Sequence, residues 1–236
     1  MSKRESDLFH ITEIYLLASA FESEMLFGLP DKKTLHLLGG EVDKVAHQAL
    51  VKKEILTEEG KITKGGAYVI RALEFYYLSK KYVRINNLMF GFREADEDEV
   101  IMLVEVEDGK YYRLHVISKA LVLKLLIDRF PFILREPEKE EKDFLKKELS
   151  TQLRNELGDL EIGEEFMNLE FFHTGESPQA EDNPKFYQQW FALPHDKKLI
   201  MIDPMKDIYY HASQYWFLKM LFDEMDFPYK EATSNV

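Results

Sequence analysis

Apolar residues recur at helical spacing three times in the first third of the chain. The pattern predicts helices that begin near Thr12, span 41–53, and run from Thr63 to about Leu78. The apolar stripe of the second helix, which should face the core, is Val42, Val45, Ala46, Ala49 and Leu50. The inward residues of the third helix should be Ala67, Ile70, Leu73 and Tyr77. A short β-hairpin at 55–63 joins the last two helices and makes this N-terminal segment winged-helix-like.

From Tyr82 the pattern changes to extended segments. We predict strands at Tyr82–Phe92, Val100–Val106 and Tyr111–Ile117, the last two joined by a turn at Asp108-Gly109. Ser118 should cap a helix that Pro131 ends, and 135–157 is expected to form one long amphipathic helix.

The last part of the chain begins with a polar segment at 173–184, which we predict to be a mobile loop. Three strands should follow, at Phe186–Leu193, Lys198–Asp203 and Ile208–Tyr210. A final helix should then begin at Ser213 and end at Met225.

The end of the chain resembles its middle. Ser118–Asp128 and Ser213–Asp223 share Ser, Leu, Lys, Leu and Asp at equal spacing, and a strand pair precedes each segment. Chance is the alternative, since any two capped amphipathic helices have similar patterns. Duplication predicts one α+β domain over 1–236, with an antiparallel sheet, helical bundles and pseudo-twofold related halves at about 11–132 and 138–228.

The composition favours a folded, acidic protein. With 45% hydrophobic residues the chain can bury a core, and a net charge of −12 opposes binding to nucleic acid. The absence of cysteine excludes disulfides and thiolate chemistry. Because no apolar run reaches the length of a membrane span or a signal core, we expect a cytoplasmic protein without a membrane span.

No motif for catalysis or metal binding is present in the sequence. The seven histidines are scattered without metal-ligand spacing, and neither a phosphate-binding Gly-rich loop nor a Gly-x-Ser-x-Gly elbow occurs. We therefore predict no catalytic residues, no metal, no cofactor and no enzymatic activity.

Aromatic and acidic residues are the candidates for a binding surface. Phe92, Trp190 and Phe191 lie on predicted strands whose two faces both carry large apolar groups. Glu94, Asp96 and Asp98 fall between two predicted strands, where they could orient a basic segment of a partner. The alternatives are burial of the aromatics under the protein's own helices and an ordinary solvated acidic loop.

Residues 11–93 resemble the N-terminal part of the EspG-type chaperones of type VII secretion systems. The resemblance is carried by a Leu- and Ala-rich helix, a Leu-Pro segment, a wing, a further helix and a first strand: Ile11–Phe21, Phe27–Pro30, Leu50–Ile62, Ala67–Leu78 and Tyr82–Ile85. Near the C-terminus, Asp203–Tyr209 is similar to the family's Asp-x-Pro hairpin but lacks its Gly-Arg. The chain also looks like uncharacterised proteins encoded near such secretion genes in Gram-positive bacteria.

The resemblance implies a cytoplasmic chaperone or adaptor that holds a helical-hairpin secretion substrate before export. Its partner would be that helical secreted protein, and a homodimer is possible. A winged-helix transcription regulator with a ligand-sensing domain is the alternative, for which the dispersed cations Lys44, Lys52, Lys53, Lys61, Lys64 and Arg71 would be available.

Overall fold

A computed structural model of the chain describes residues 7–23, 25–33, 42–92, 98–158, 165–173 and 187–228. These residues fall into two compact units. The first contains the described residues up to Ile117 together with His173, and the second contains those from Ser118 to Phe172 and from Tyr187 onward. Each unit combines helices with antiparallel strands.

The first unit has three described α-helices and five strands. Its elements are β1 (Leu8–His10), α1 (Ile11–Ala18), α2 (Val42–Lys52), α3 (Lys64–Tyr77), β2 (Lys81–Ile85), β3 (Leu88–Phe92), β4 (Glu99–Glu107) and β5 (Tyr111–Ser118). The strand order is β1-β5-β4-β3-β2. Leu56 and Ile62 form an isolated bridge within the hairpin expected at 55–63, and the winged-helix arrangement remains a prediction. Thr63 caps α3 by accepting a hydrogen bond from Gly66 N, as predicted.

Helix α3 lies close to the sheet because β3 has a glycine where the two elements meet. A Cβ at Gly91 would come within 2.7 Å of the Tyr76 ring. On the same face, the Tyr82 hydroxyl donates a hydrogen bond to Tyr76 O at 2.7 Å. Gly91 pairs with Ile101, so Ile101 of β4 lies on the face that α3 covers. The position of α3 beside β4 follows from these contacts.

The second unit has three described α-helices, two 3₁₀ segments and five strands. Its elements are α4 (Lys119–Arg129), 3₁₀ turns at Pro131–Leu134 and Lys139–Asp143, β6 (Lys146–Glu148), α5 (Thr151–Gly158), β7 (Met167–His173), β8 (Tyr187–His195), β9 (Lys198–Asp203), β10 (Ile208–Ala212) and α6 (Gln214–Glu224). The strand order is β6-β10-β9-β8-β7, which is the order of the first unit with every strand number raised by five.

The predicted repeat has matching local structure in both copies. Ser118 and Ser213 each cap a helix by accepting a hydrogen bond from the backbone N three residues on. One turn from the end of each helix, Lys124 pairs with Asp128 at 2.6 Å and Lys219 with Asp223 at 2.9 Å. Internal duplication and pseudo-twofold placement remain predictions, and equal strand order is what duplication would produce.

Five sequence expectations are corrected, and the loop expected at 173–184 lies, after His173, outside the described residues. Val45, expected to face the core from α2, is 61% exposed. Tyr82–Phe92 is not one strand but the hairpin β2–β3, because Asn86 adopts a positive φ of 52° and reverses the chain. The long helix expected at 135–157 is replaced by a 3₁₀ turn, β6 and α5, and strand β7 was not predicted. Helix α1 is capped by His10 rather than Thr12. The inward residues of α3 are Gly66, Ala72, Leu73 and Tyr76, whereas the predicted Ala67 and Tyr77 are exposed.

Candidate functional site

An open groove lies in the first unit, between α3 and strands β4 and β5. Its volume is about 420 Å³. The groove is lined by Lys64, Ala67, Tyr68, Arg71, Ala72, Phe75, Glu99, Ile101 and Val116. The six residues from α3 recur at i, i+3, i+4, i+7, i+8 and i+11, so α3 presents a second stripe to the groove beside the one that it buries.

The floor of the groove is apolar and its rim is charged. Ala72 and Ile101 are buried, Tyr68 is 77% exposed and Val116 is 50% exposed. Such exposure leaves the groove open to solvent, unlike an enclosed small-molecule pocket that buries most of its ligand. This shape fits a segment of a protein.

Lys64 and Arg71 stand on the α3 side of the groove, and Glu99 stands on the strand side. The Arg71 guanidinium carbon lies 5.1 Å from the centroid of the Phe75 ring, a cation–π contact that orients the charge along α3. Within the part of the chain that the structure describes, no carboxylate forms an ion pair with Lys64 or Arg71. The groove thus has one positive wall and one negative wall.

The six residues predicted for partner binding have different environments. Glu94 and Asp96 lie outside the described residues. Asp98 is exposed and directly precedes Glu99 of the groove. Phe92 is only 3% exposed and has the Lys81 ammonium 4.5 Å from its ring centroid. Phe92 is therefore buried within the protein, which was the alternative to its being an exposed binding residue.

Trp190 is also buried, and it forms part of an aromatic cluster around a lysine in the second unit. The Lys146 ammonium lies 5.2 Å from the centroid of Trp190, 4.6 Å from that of Tyr210 and 5.1 Å from that of Trp216. Desolvation, together with the charge of Lys206, lowers the pKa of Lys146 from its ordinary value. Through this cluster, the edge strand β6 packs against α6. Trp190 is therefore buried inside its own unit.

Phe191 points to the opposite face of β8 from Trp190, since side chains alternate along a strand. It is half-buried, and its ring centroid lies 5.2 Å from that of Phe166. In register with Phe191 stand Asn168 and Ile202, both half-buried. Of the three predicted aromatic anchors, only Phe191 therefore offers part of its surface. Partner binding by these residues remains a prediction.

A buried polar network supports the second unit. Arg135 donates two hydrogen bonds to Glu141, at 2.8 and 2.9 Å, and Glu141 also accepts one from Gln214 N at 2.8 Å. Gln214 is the first residue of α6, where a carboxylate is favoured by the helix dipole. His211 Nε2 lies 3.7 Å from Glu141 Oε1. The network ties the second 3₁₀ turn to the start of α6.

A matching buried pair lies in the first unit. Lys53 Nζ lies 2.7 Å from both Glu13 carboxylate oxygens and donates a hydrogen bond to Leu8 O at 2.6 Å. These contacts join α1 to α2. Lys53 is therefore used inside the unit.

No three His, Asp or Glu side chains among the described residues are grouped so that they could hold a metal ion. In the same residues, the structure has no helix with the length and apolarity needed to cross a bilayer.

The elements described above define an α+β protein of two compact units, each built on five antiparallel strands, with an open, charge-rimmed groove in the first. The chain belongs to the family described as "Domain of unknown function (DUF5081)", which matches residues 3–233.

Comparisons with characterised proteins connect the chain to type VII secretion. It is 27% identical over 138 residues to the type VII secretion system protein EsaE of Staphylococcus aureus strain USA300, and equally to that of strain NCTC 8325 / PS 47. The matched stretch covers 57% of this chain and 60% of each relative. The chain therefore matches three-fifths of those relatives' length. The predicted resemblance to type VII secretion proteins is confirmed.

Among solved structures, the chain is similar to EspG5 of Mycobacterium tuberculosis, a type VII secretion system chaperone whose structure was determined in complex with the PE25-PPE41 dimer. The TM-score is 0.49 at 9% sequence identity, over 95% of this chain and 97% of EspG5.

Proposed function

We propose that this protein is a cytoplasmic chaperone or adaptor of a type VII-like secretion system and that it holds a helical secreted protein before export. The observation that carries the proposal is the similarity to the EsaE proteins, which are named for that system. The groove beside α3 adds a surface of suitable chemistry, because helices commonly dock by laying an apolar face into an open groove.

The acidic wall of the groove and one further surface also enter the proposal. Asp98 and Glu99 place acidic groups at the start of β4, where they would attract a basic part of the substrate. Phe191 with Phe166 offers a half-buried aromatic surface on the second unit. Phe92 and Trp190 would act indirectly by stabilising the strands that carry these surfaces.

The transcription-regulator alternative has less support. Of the six cations that it would use, Lys53 is engaged by Glu13 and Leu8 O, and the net charge of −12 opposes DNA binding. An operator-shift assay at moderate salt checks this alternative directly. Specific DNA binding would favour the regulator and count against the chaperone.

Affinity purification of the tagged full chain from the cytosol of its native host tests the proposal. Mass spectrometry should find a small helical secreted protein enriched over an untagged control. Tyr68→Ala should reduce its recovery, because Tyr68 is an exposed aromatic of the groove. Tyr215→Ala is the matched control, since Tyr215 is a similarly exposed helical tyrosine in the other unit. If no secreted protein is enriched, the proposed function is wrong.

A further inference from the structure

We infer that the groove beside α3 selects an amphipathic helix of the partner whose two polar flanks carry opposite charges. The acidic flank would face Lys64 and Arg71, and the basic flank would face Glu99. This charge pattern would describe the partner of the proposed function. It rests on that function only in the assumption that the partner is a secreted protein.

The floor of the groove is apolar and has room for the side chains of a helix. Ala67, Ala72, Phe75, Ile101 and Val116 give the groove an apolar bottom between one helix and two strands. Small residues on the α3 side, Ala67 and Ala72, leave room for the side chains of an incoming helix. An apolar stripe at i, i+3, i+4 and i+7 of the partner would fill this floor.

The α3 wall of the groove carries positive charge. Lys64 and Arg71 lie seven residues apart on α3, which is about 10 Å along a helix. Acidic side chains two turns apart on a partner helix that runs beside α3 would match this spacing. Four other exposed lysines already have a carboxylate in their own helix or turn, namely Lys110, Lys124, Lys206 and Lys219. Lys64 and Arg71 form no such pair among the described residues.

The opposite wall of the groove carries negative charge. Glu99 is exposed at the start of β4, on the same face of the strand as Ile101, and Asp98 precedes it. A uniformly acidic helix would be repelled there and by the net charge of −12. A uniformly basic helix would be repelled by Lys64 and Arg71. A helix with one acidic and one basic flank satisfies both walls.

Synthetic peptides test this selectivity without knowledge of the natural substrate. Three helical peptides about five turns long share one apolar stripe and carry one acidic and one basic flank, two acidic flanks, or two basic flanks. Fluorescence anisotropy with the full chain should give the tightest binding to the first peptide, by about tenfold. That preference should shrink at high salt, because the charged rim is exposed.

A charge-reversed variant makes the test sharper. Lys64→Glu with Arg71→Glu should transfer the preference to the peptide with two basic flanks. Lys44→Glu with Lys52→Glu is the matched control, because it changes the net charge equally at exposed positions of α2 outside the groove. The control should keep the wild-type preference, and circular dichroism should show that both variants are folded.

Several outcomes would overturn the inference. Equal affinities for the three peptides, no binding of any of them, or the same switch in the control variant would each do so. Sedimentation of the full chain tests a second copy as occupant, and a wild-type dimer that the Lys64→Glu, Arg71→Glu variant loses would assign the groove to self-association. Correct peptide selectivity without any secreted protein in the affinity purification would contradict the proposed function but not the groove chemistry.

Discussion

Glu141 is a buried carboxylate at the centre of a hydrogen-bond network in the second unit. Its side chain is 1% exposed and that of its partner Arg135 is 11% exposed. Glu141 also accepts a hydrogen bond from the backbone N of Gln214. A buried ion pair contributes little when compared with an apolar replacement of both partners, but loss of one partner leaves a charge buried without compensation. The cost of a single substitution should therefore be large.

Replacement of Arg135 by Met should lower the free energy of unfolding by about 3 kcal/mol, since Glu141 would remain buried without its guanidinium. Chemical denaturation monitored by circular dichroism measures this change. Lys124→Met is the control, because the Lys124–Asp128 pair is exposed and should cost less than about 0.5 kcal/mol. Equal effects of the two variants would contradict the assigned role of the Arg135–Glu141 pair.

We expect His211 to make the second unit sensitive to acid. Burial lowers the pKa of His211, with Glu141 and Glu140 opposing that effect and Lys198 adding to it. As the pH falls through the ordinary histidine value near 6.5, the unfolded chain binds a proton that the folded site resists. Stability should therefore fall between about pH 7.5 and about pH 5.5. Thermal melts should show a smaller fall for His211→Gln, and an equal or larger fall would contradict this assignment.

At the residue scale, the sequence could indicate which residue types matter but not which of them are exposed. Trp190 and Phe191 are adjacent on β8, so one had to point to each face, yet no pattern told which face was covered. Trp190 is buried because Tyr210, Trp216 and Lys146 surround it, and all three are distant in the sequence. Tertiary contacts of this kind decide exposure.

The two repeated helices differ in how firmly their first turns are fixed. Ser118 is half-buried and caps α4 only through Leu121 N. Ser213 is buried, caps α6 through Trp216 N and also donates a hydrogen bond to Leu145 O at 2.9 Å. The second serine therefore connects a helix start to the segment that leads into β6.

Ser118→Ala should cost about 1 kcal/mol of stability, which is typical for the loss of an N-cap. Ser213→Ala should cost more, about 2 kcal/mol, because Ser213 is buried and also loses the hydrogen bond that its hydroxyl donates to Leu145 O. Equilibrium unfolding of both variants measures the difference. If Ser118→Ala were the more destabilising of the two, the assignment of the Leu145 contact would be wrong.

At the element scale, the sequence predicted helices and strands best where the hydrophobic periodicity agreed with the capping and turn residues at their ends. Helices α2, α3, α4 and α6 and strands β4, β5, β8, β9 and β10 lie close to their predicted bounds, because each has a capping residue or a turn signal at its end. The long helix expected at 135–157 was wrong since β6 pairs with β10, a contact far along the chain that overrides local helix propensity.

The candidate groove could not be predicted for a related reason. Helix α3 has two stripes at helical spacing, and the sequence pattern indicated Ala67, Ile70, Leu73 and Tyr77 as inward. Leu73 is inward as expected, but the burial of Ala72 and Tyr76 and the close approach at Gly91 turn the rest of the helix away from that prediction. Ala67, Tyr68 and Phe75 thereby come to line an open surface, which becomes evident only when the sheet is in place.

For the whole molecule, we propose that the chain keeps a secreted helical protein from aggregating. Similarity to the EsaE proteins supports a place in type VII secretion, and the acidic net charge of −12 would keep a complex with an apolar substrate dispersed. A chaperone of this kind needs a surface for an amphipathic helix and no reaction chemistry. In the proposed function, the groove would supply such a surface.

The most direct test is the solubility of the secreted protein that co-purifies with the chain. That protein is expressed and purified separately and is then centrifuged alone, with an equimolar amount of the wild type, and with the Tyr68→Ala or Tyr215→Ala variant. We predict that the wild type and Tyr215→Ala keep most of the substrate in the supernatant and that Tyr68→Ala keeps much less. A substrate that is equally soluble with and without the wild type would contradict the chaperone function.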